Sequence, residues 1–473
     1  MKKPVNNLPL SVSAVLVILF LEAIFYIAQL PLIIPFLLLL GAIYLYYQKK
    51  GSVKLFLNMG LLLALLLLTS RAFPFYGVSP FYIPAAGVAL LVMLLYNDLQ
   101  LTLLMSVVSS LMVGIVLWDL ELTIIFFIGS LTVAYYLKDA RTRGKLIEAG
   151  FLIGLIQVLA VILLHPSWDW IGSKKFLTTY FRPLMINGFA VAAFVMGTLK
   201  AFEWVFGCLT NFSLLELSDF NHPLLKRLIM EAPGTYHHSL VVSNISEAAA
   251  DSIGANALLA RVGAYYHDIG KMVKPHYFTE NQLLEGNKHD TLEPSMSRLV
   301  ILNHVKEGIE LARQYKLHPR IIDFIPEHHG TSLIHFFYQR ALEEAGPDEK
   351  IDEQNFRYPG PKPQSRETAI IMMADSAEGS VRALDEPIPA RINETVRKVI
   401  NNKFIDGQLD ECTITLKDLD KISATFGRVL SAMYHSRIKY PEKKNGNGHN
   451  DPKFTEAHSA QNPPSQKDRK KSP

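Results

Sequence analysis

The spacing of apolar positions divides the chain in two. Before about residue 206 they form long, nearly unbroken blocks such as SAVLVILFLEAIFYIA and NMGLLLALLLLTS. Beyond it they recur every three or four positions, with charge and proline between them. Crossing ~30 Å of hydrocarbon takes about 20 apolar residues in a helix. That length gives eight candidate spans, near 9–28, 31–48, 53–70, 78–96, 99–118, 121–138, 147–165 and 182–206. From 214 to 440 the periodicity predicts helices near 236–253, 256–269, 293–317, 319–329, 366–385, 390–402 and 415–437. Gly254, Gly270 and Gly330 stand at three of the predicted helix ends, Pro319 suits a first turn, and Thr415 with Asp418 resembles a capping box. No alternating strand pattern of any length occurs, and 346–365 reads as a loop. The expected fold class is therefore all-α. A polytopic helical membrane domain (1–206) precedes an all-helical soluble domain (207–440) and a low-complexity, disordered tail (441–473).

Charge changes this picture in two ways. Residues 1–206 carry 14 Lys and Arg against 8 Asp and Glu, leaving 33 against 35 for the remainder. The slightly acidic soluble half argues against a nucleic-acid polymer as partner, because phosphate backbones are held by clustered basic residues. Basic residues in short loops also set orientation. With the N-terminus inside, Lys2, Lys3, Lys49, Lys50, Lys54, Lys138, Arg141, Arg143 and Lys145 are inner, and Arg71, Lys174, Lys175 and Arg182 are outer. An even number of spans then leaves the soluble domain in the cytoplasm. MKK before an apolar run suggests a signal peptide, but no small-residue cleavage site follows, so an uncleaved anchor is expected. Glu22 is the one clear mid-span acid, too little for a charged-substrate pathway. A sensor or anchor fits the membrane half better than a transporter. Cys208 and Cys412 are far apart and read as free thiols.

Eleven of the fifteen histidines fall between His222 and His335, a density that needs a reason. Several lie on apolar helices, where an unpaired imidazole is costly. His238 shares the face of Val242 and Ile245, while His237 is turned about 100° away. His267 and Asp268 end the next helix, His304 lies in LVILNHV, and His328 and His329 close a helix at Gly330. Asp375 interrupts the apolar stretch AIIMMADSAEG. Neutral imidazoles with shared carboxylates suit divalent transition metals, and this set is rich enough for two ions, which an aspartate can bridge through its two oxygens.

The order H…HD…H…HH…D resembles the HD phosphohydrolase superfamily. EAPGTYHHS, RVGAYYHDIGK, HHGT, FRYPGPKPQSRE, MMADS, DGQLDEC and YHSRIKYP are similar to the membrane-bound PgpH-type cyclic-di-AMP phosphodiesterases, also called seven-transmembrane HD receptors. The HD resemblance runs from about 215 to 440, and the apolar half extends it to most of the chain. It implies one metal ion held by His238, His267, Asp268 and Asp375. A second would be held by His304, His328 and His329, with Asp268 bridging. Iron or manganese is implied, activating water for attack on phosphorus in cyclic-di-AMP to give the linear dinucleotide pApA. Asp268 and Lys271 are the catalytic candidates. Lys271 would reach a non-bridging phosphate oxygen, with a solvated helix-end lysine as the alternative. Arg382 and Tyr338, with His335, are further substrate-site candidates, against ordinary surface or packing roles. HHGTSLIHFF lacks the Gly-Tyr-Pro signature of the cyclic-di-GMP enzymes, which disfavours that substrate. The implied location is the plasma membrane, with the HD domain cytoplasmic; a homo-oligomer is allowed but not required. The family inserts a large extracellular domain after its first membrane helix, where this sequence has only Gln29-Leu30-Pro31, so extracellular ligand sensing is not implied. Two other readings stay open: an HD hydrolase of another nucleotide or an alarmone, and a catalytically silent receptor for a cyclic dinucleotide.

Overall fold

The computed structural model describes residues 53–434, apart from Asp139 and residues 166–169, 283–285 and 347–349. The runs expected to span at 9–28 and 31–48, Glu22, and the tail from 441 lie outside the described residues.

In the apolar half the helices are α1 (Val53–Phe75), α2 (Ala85–Tyr96), α3 (Leu99–Leu117), α4 (Leu120–Tyr136), α5 (Arg143–Leu164) and α6 (Arg182–Phe206). Sharp turns separate α2 from α3 and α3 from α4. Asn97 and Trp118 adopt left-handed backbone (φ 48° and 56°), and the aspartates that follow cap the next helix. Asp98 accepts from Leu101 N–H at 3.0 Å and Asp119 from Leu122 N–H at 3.1 Å.

Four described stretches are long and apolar enough to cross a membrane: Lys54–Phe75, Leu99–Leu117, Arg143–Leu164 and Lys174–Phe206. The segments expected to span at 78–96 and 121–138 fall short of that length. Pro80 and Pro84 divide the first into a 3₁₀ turn and the 12-residue α2, and α4 has 17 residues, rising ~26 Å against ~30 Å of hydrocarbon. From Ala85 to Leu95 α2 is buried throughout. A helix apolar on every side belongs in the middle of a bundle, and α2 packs against α3, α4 and α6. Helices α5 and α6 approach closely because Gly150 and Gly154 face Gly188. A Cβ on Gly188 would lie 2.1 Å from the Gly150 carbonyl oxygen.

The second half continues with α7 (Asn211–Leu217), α8 (Pro223–Glu231), α9 (Pro233–Ser252), α10 (Ala257–Tyr266) and α11 (Pro294–Gln314). Two short helices follow, α12 (Pro319–Ile322) and α13 (Phe324–Glu327), then α14 (His335–Glu344), α15 (Arg366–Arg382), α16 (Pro389–Ile405) and α17 (Leu416–Met433). No strand occurs among the described residues; one isolated bridge joins Leu333 to Arg357. The fold is all-α, as the periodicity predicts. Thr415 and Asp418 form the expected capping box, and Ser365 with Thr368 forms a second. Gly254 and Gly330 have the positive φ that helix-end glycines supply (66° and 54°). Gly270 does not. Helix α10 ends at Tyr266, and Gly270 lies in a 3₁₀ turn (Ile269–Val273) packed on α11. Its role is close approach: a Cβ there would sit 1.8 Å from the His304 carbonyl oxygen.

Helix α9 is the hub of this half, packing on α10, α15 and α17. Val242, Ile245, Val262, Tyr266, Ile370, Ile392 and Phe426 are fully enclosed in one apolar core, distinct from the core of the first half.

Candidate metal centre

Five elements distant in sequence deliver polar side chains to one point. His238 comes from α9, His267 and Asp268 from the end of α10, and His304 from α11. His328 and His329 follow α13, and Asp375 comes from α15. The first four and His328 are buried; His329 and Asp375, 17% and 15% exposed, form the open edge. His237, one residue from His238, is exposed, as its helix face predicts.

Asp268 lies between two groups of imidazoles. Its Oδ2 is 3.3 Å from His267 Nε2 and 3.7 Å from His238 Nε2. Its Oδ1 is 3.5 Å from both His304 Nε2 and His328 Nε2. Two sets of donor atoms, each within 4.8 Å of one another, result: His238, His267, Asp268 and Asp375, and Asp268, His304, His328 and His329. These are the two quartets that the family resemblance implies.

The hydrogen bonding fits cations here. The Nδ1 atoms of His267, His304 and His328 each meet a carbonyl one turn back, those of Ala264, Ile301 and Ile325. That contact fixes the proton on Nδ1 and leaves an Nε2 lone pair directed at the centre. The three Nε2 atoms and both Asp268 oxygens are buried with no hydrogen-bond partner. Buried polar groups are otherwise nearly always paired. Three imidazole nitrogens and Asp268 Oδ1 thus converge as orphaned acceptors, with the Lys271 ammonium beside Asp268 Oδ2, and such a set suits divalent ions.

Protonation states agree. Burial pushes His304 down to about 4 and holds His329 well below the ordinary imidazole value, with neighbouring histidines adding to the effect. Burial would raise the carboxyl of Asp268, but Lys271 and His267 hold it well below the usual range. Asp375 is likewise depressed: burial opposes, but hydrogen bonding to His238 prevails. Neutral imidazole and ionised carboxylate are the forms that bind metal. His238 differs: burial disfavours its charge, yet Asp375 (3.0 Å from Nε2) and Glu378 (2.6 Å from Nδ1) lift it to about 9. A cation at Nε2 would take the place of that proton.

Of the candidates outside the quartets, Lys271 reaches the centre. Its Nζ is 2.6 Å from Asp268 Oδ2 and 2.9 Å from Glu280 Oε1, and the side chain is nearly enclosed, so the solvated helix-end alternative does not hold. Arg382 stands one step back, 3.5 Å from Glu378 and 40% exposed. Tyr338 packs its ring on Phe356 in a separate small cluster with Phe337 and Ala341, and His335 is exposed.

Sequence reasoning missed Glu378, Glu280 and Tyr358. Glu378 follows Asp375 by three residues on α15, and this one-turn spacing on the same helix face was a usable signal. Tyr358, which stacks on His329 at 4.1 Å between centroids, comes from the 346–365 loop, where no periodicity could place it. The histidine excess has a second source as well. His222 and His318 cap α8 and α12 through Nδ1, ahead of the prolines that open those helices.

Comparison with known proteins finds matches in both halves of the chain. Residues 235–380 match the HD domain family, and residues 25–210 match the family described as a 7TM receptor with intracellular HD hydrolase. The cyclic-di-AMP phosphodiesterase PgpH of Bacillus subtilis (strain 168) is 38% identical over 423 residues, covering 86% of this chain and 59% of the relative. The protein of the same name from Listeria monocytogenes serotype 1/2a (strain 10403S) is 41% identical over 372 residues, covering 77% of this chain and 51% of the relative. The chain thus spans a little over half the length of these relatives. A crystal structure of the L. monocytogenes phosphodiesterase PgpH HD domain in complex with cyclic-di-AMP is 48% identical and covers 46% of this chain and all of that one, with a TM-score of 0.44. With an apolar helical half matching one family model and a second half matching the HD domain model, this membrane protein is similar over most of its length to the seven-transmembrane HD family.

Proposed function

We propose that the chain is a membrane-anchored, metal-dependent phosphodiesterase that hydrolyses cyclic-di-AMP to pApA, with residues 1–206 as the membrane domain and 207–440 as a cytoplasmic catalytic domain. The observation that carries this reading is the pair of donor quartets sharing Asp268. They lie in a chain similar over most of its length to proteins named cyclic-di-AMP phosphodiesterases. Seven donors are more than one ion needs from protein, and the His-rich set favours iron or manganese over magnesium or calcium.

His238, His267, Asp268 and Asp375 would hold one ion, and His304, His328, His329 and Asp268 the other. Bound there, divalent ions supply Lewis acidity and activate water for attack on phosphorus. The chain does the positioning. Backbone carbonyls fix three imidazole tautomers, Glu378 orients His238, and Tyr358 lies flat against His329. Asp268, whose carboxylate is common to both quartets, would offset the repulsion between two like-charged ions. Lys271 sits against that carboxylate and Glu280, where its charge offsets theirs.

The test is elemental analysis and hydrolysis on the full chain purified anaerobically in detergent. Close to two iron or manganese ions per chain, and cyclic-di-AMP cut to pApA much faster than cyclic-di-GMP, are expected. One zinc ion or none, or equal rates on the two dinucleotides, contradicts the reading.

A further inference from the structure

The motifs FRYPGPKPQSRE and DGQLDEC contribute no metal donor, yet both fold against the loop that follows His329. Gln408 accepts the Thr331 N–H at 2.9 Å, and Arg357 donates to the Thr331 carbonyl at 2.9 Å while pairing with Asp406 at 2.8 Å. Tyr358 N–H donates to the Ser332 carbonyl, and Ser332 N–H returns to that of His329. The end of α16 is thereby held beside the open edge of the centre, and it brings one lysine with it.

That lysine is Lys403. Its Nζ donates to Ser332 Oγ at 2.8 Å, and no carboxylate lies within ion-pair distance among the described residues. The other basic residues close by are all committed: Lys271 to Asp268 and Glu280, Arg357 to Asp406 and Glu353, Lys362 to Asp410, and Arg382 to Glu378. Asp406 already serves Arg357. Burial lowers the Lys403 pKa, while Asp375 and Asp406, felt at longer range, oppose this. An ammonium partly withdrawn from water, with two of its three hydrogens unspent, is a ready seat for an anionic oxygen.

We propose that Lys403 binds the phosphate of the cyclic dinucleotide that is not being cleaved. This rests on the function proposed above. A cyclic dinucleotide carries two phosphodiesters, and the metal centre can neutralise only the one at which it acts. The second needs a cation set to one side of the donor quartets. Lys403 meets that condition: it is joined to the His329 loop through Ser332 yet within ion-pair distance of none of the metal donors.

The experiment compares the full-length chain with Lys403→Ala and Lys403→Arg on cyclic-di-AMP and on bis(p-nitrophenyl) phosphate, a diester with a single phosphorus. Metal content and thermal unfolding are measured on each. A lost charge-assisted hydrogen bond should raise KM for cyclic-di-AMP roughly ten- to hundredfold in Lys403→Ala, with a smaller change in kcat. Lys403→Arg should recover most of this, and the loss on the small diester should be at least roughly tenfold less. Equal losses on both substrates, or an unchanged KM for cyclic-di-AMP, overturn the role of Lys403. A wild-type chain that cleaves the small diester but not cyclic-di-AMP overturns the function on which that role rests.

Discussion

Gly270 allows a severe test of how the centre is held together. Its ideal Cβ would lie 1.8 Å from the His304 carbonyl oxygen, 2.5 Å from Gly308 N and 2.8 Å from the His304 carbonyl carbon. All three are backbone atoms of α11, so no side chain can swing aside. A carbon rests against a carbonyl oxygen at about 3.3–3.6 Å, so Gly270→Ala must part the 269–273 turn from α11 by about 1.5 Å. Asp268 stands at the start of that turn and His304 on α11, with Oδ1 and Nε2 now 3.5 Å apart. Functional constellations tolerate about 0.5 Å, and an error of 1 Å costs on the order of a hundredfold in rate. The expected result is loss of the ion held by His304, His328 and His329, with a hundredfold or greater drop in turnover. Overpacking of this kind costs about 1–3 kcal/mol, or a fall in Tm of roughly 2–12 °C for a domain of this size, so the domain remains folded. Gly379→Ala on α15 is the control, since a Cβ there meets nothing within 4 Å; it should raise stability slightly, as alanine does in a helix. The assay is metal analysis, thermal unfolding and hydrolysis on both variants. A Gly270→Ala protein with two ions and the wild-type rate would refute the argument that this contact sets the spacing of the quartets.

Three further outcomes follow from the same geometry. Asp268→Ala should lose both ions and nearly all activity, His304→Ala should lose mainly one ion, and His237→Ala should keep both, since His237 is exposed; metal content of the purified variants decides this. Glu378→Gln removes the charge that meets His238 Nδ1 at 2.6 Å. It should weaken binding of one ion about 10–100-fold, read by metal titration, and unchanged affinity would show that Glu378 merely packs. A reporter fused after residue 473 should be active only inside the cell, from the nine inner basic residues against four outer ones; activity only outside would reverse the proposed orientation.

The membrane half, the helical HD half and the seven side chains that meet at one point were singled out in the sequence, because the face or helix end on which each lies depends on local order. Apolar spacing fixes which face of α9 carries His238 and which carries His237, and a capping box such as Thr415 with Asp418 is complete within four residues. What the sequence could not decide is which distant groups meet. Gly270 reads as a helix stop but serves as a gap for α11, since its partner lies 34 residues on at His304. Two of the expected spans are short because prolines and a capping aspartate divide apolar runs that look continuous by composition. Among the basic residues, proximity in sequence singled out Lys271 and Arg382, whereas packing ties both to carboxylates and leaves Lys403, bonded to Ser332, without a carboxylate partner among the described residues. Helix periodicity fixes where a side chain points from its own axis. How the axes pack, and so which charges meet and which remain free, is decided by contacts between segments tens of residues apart.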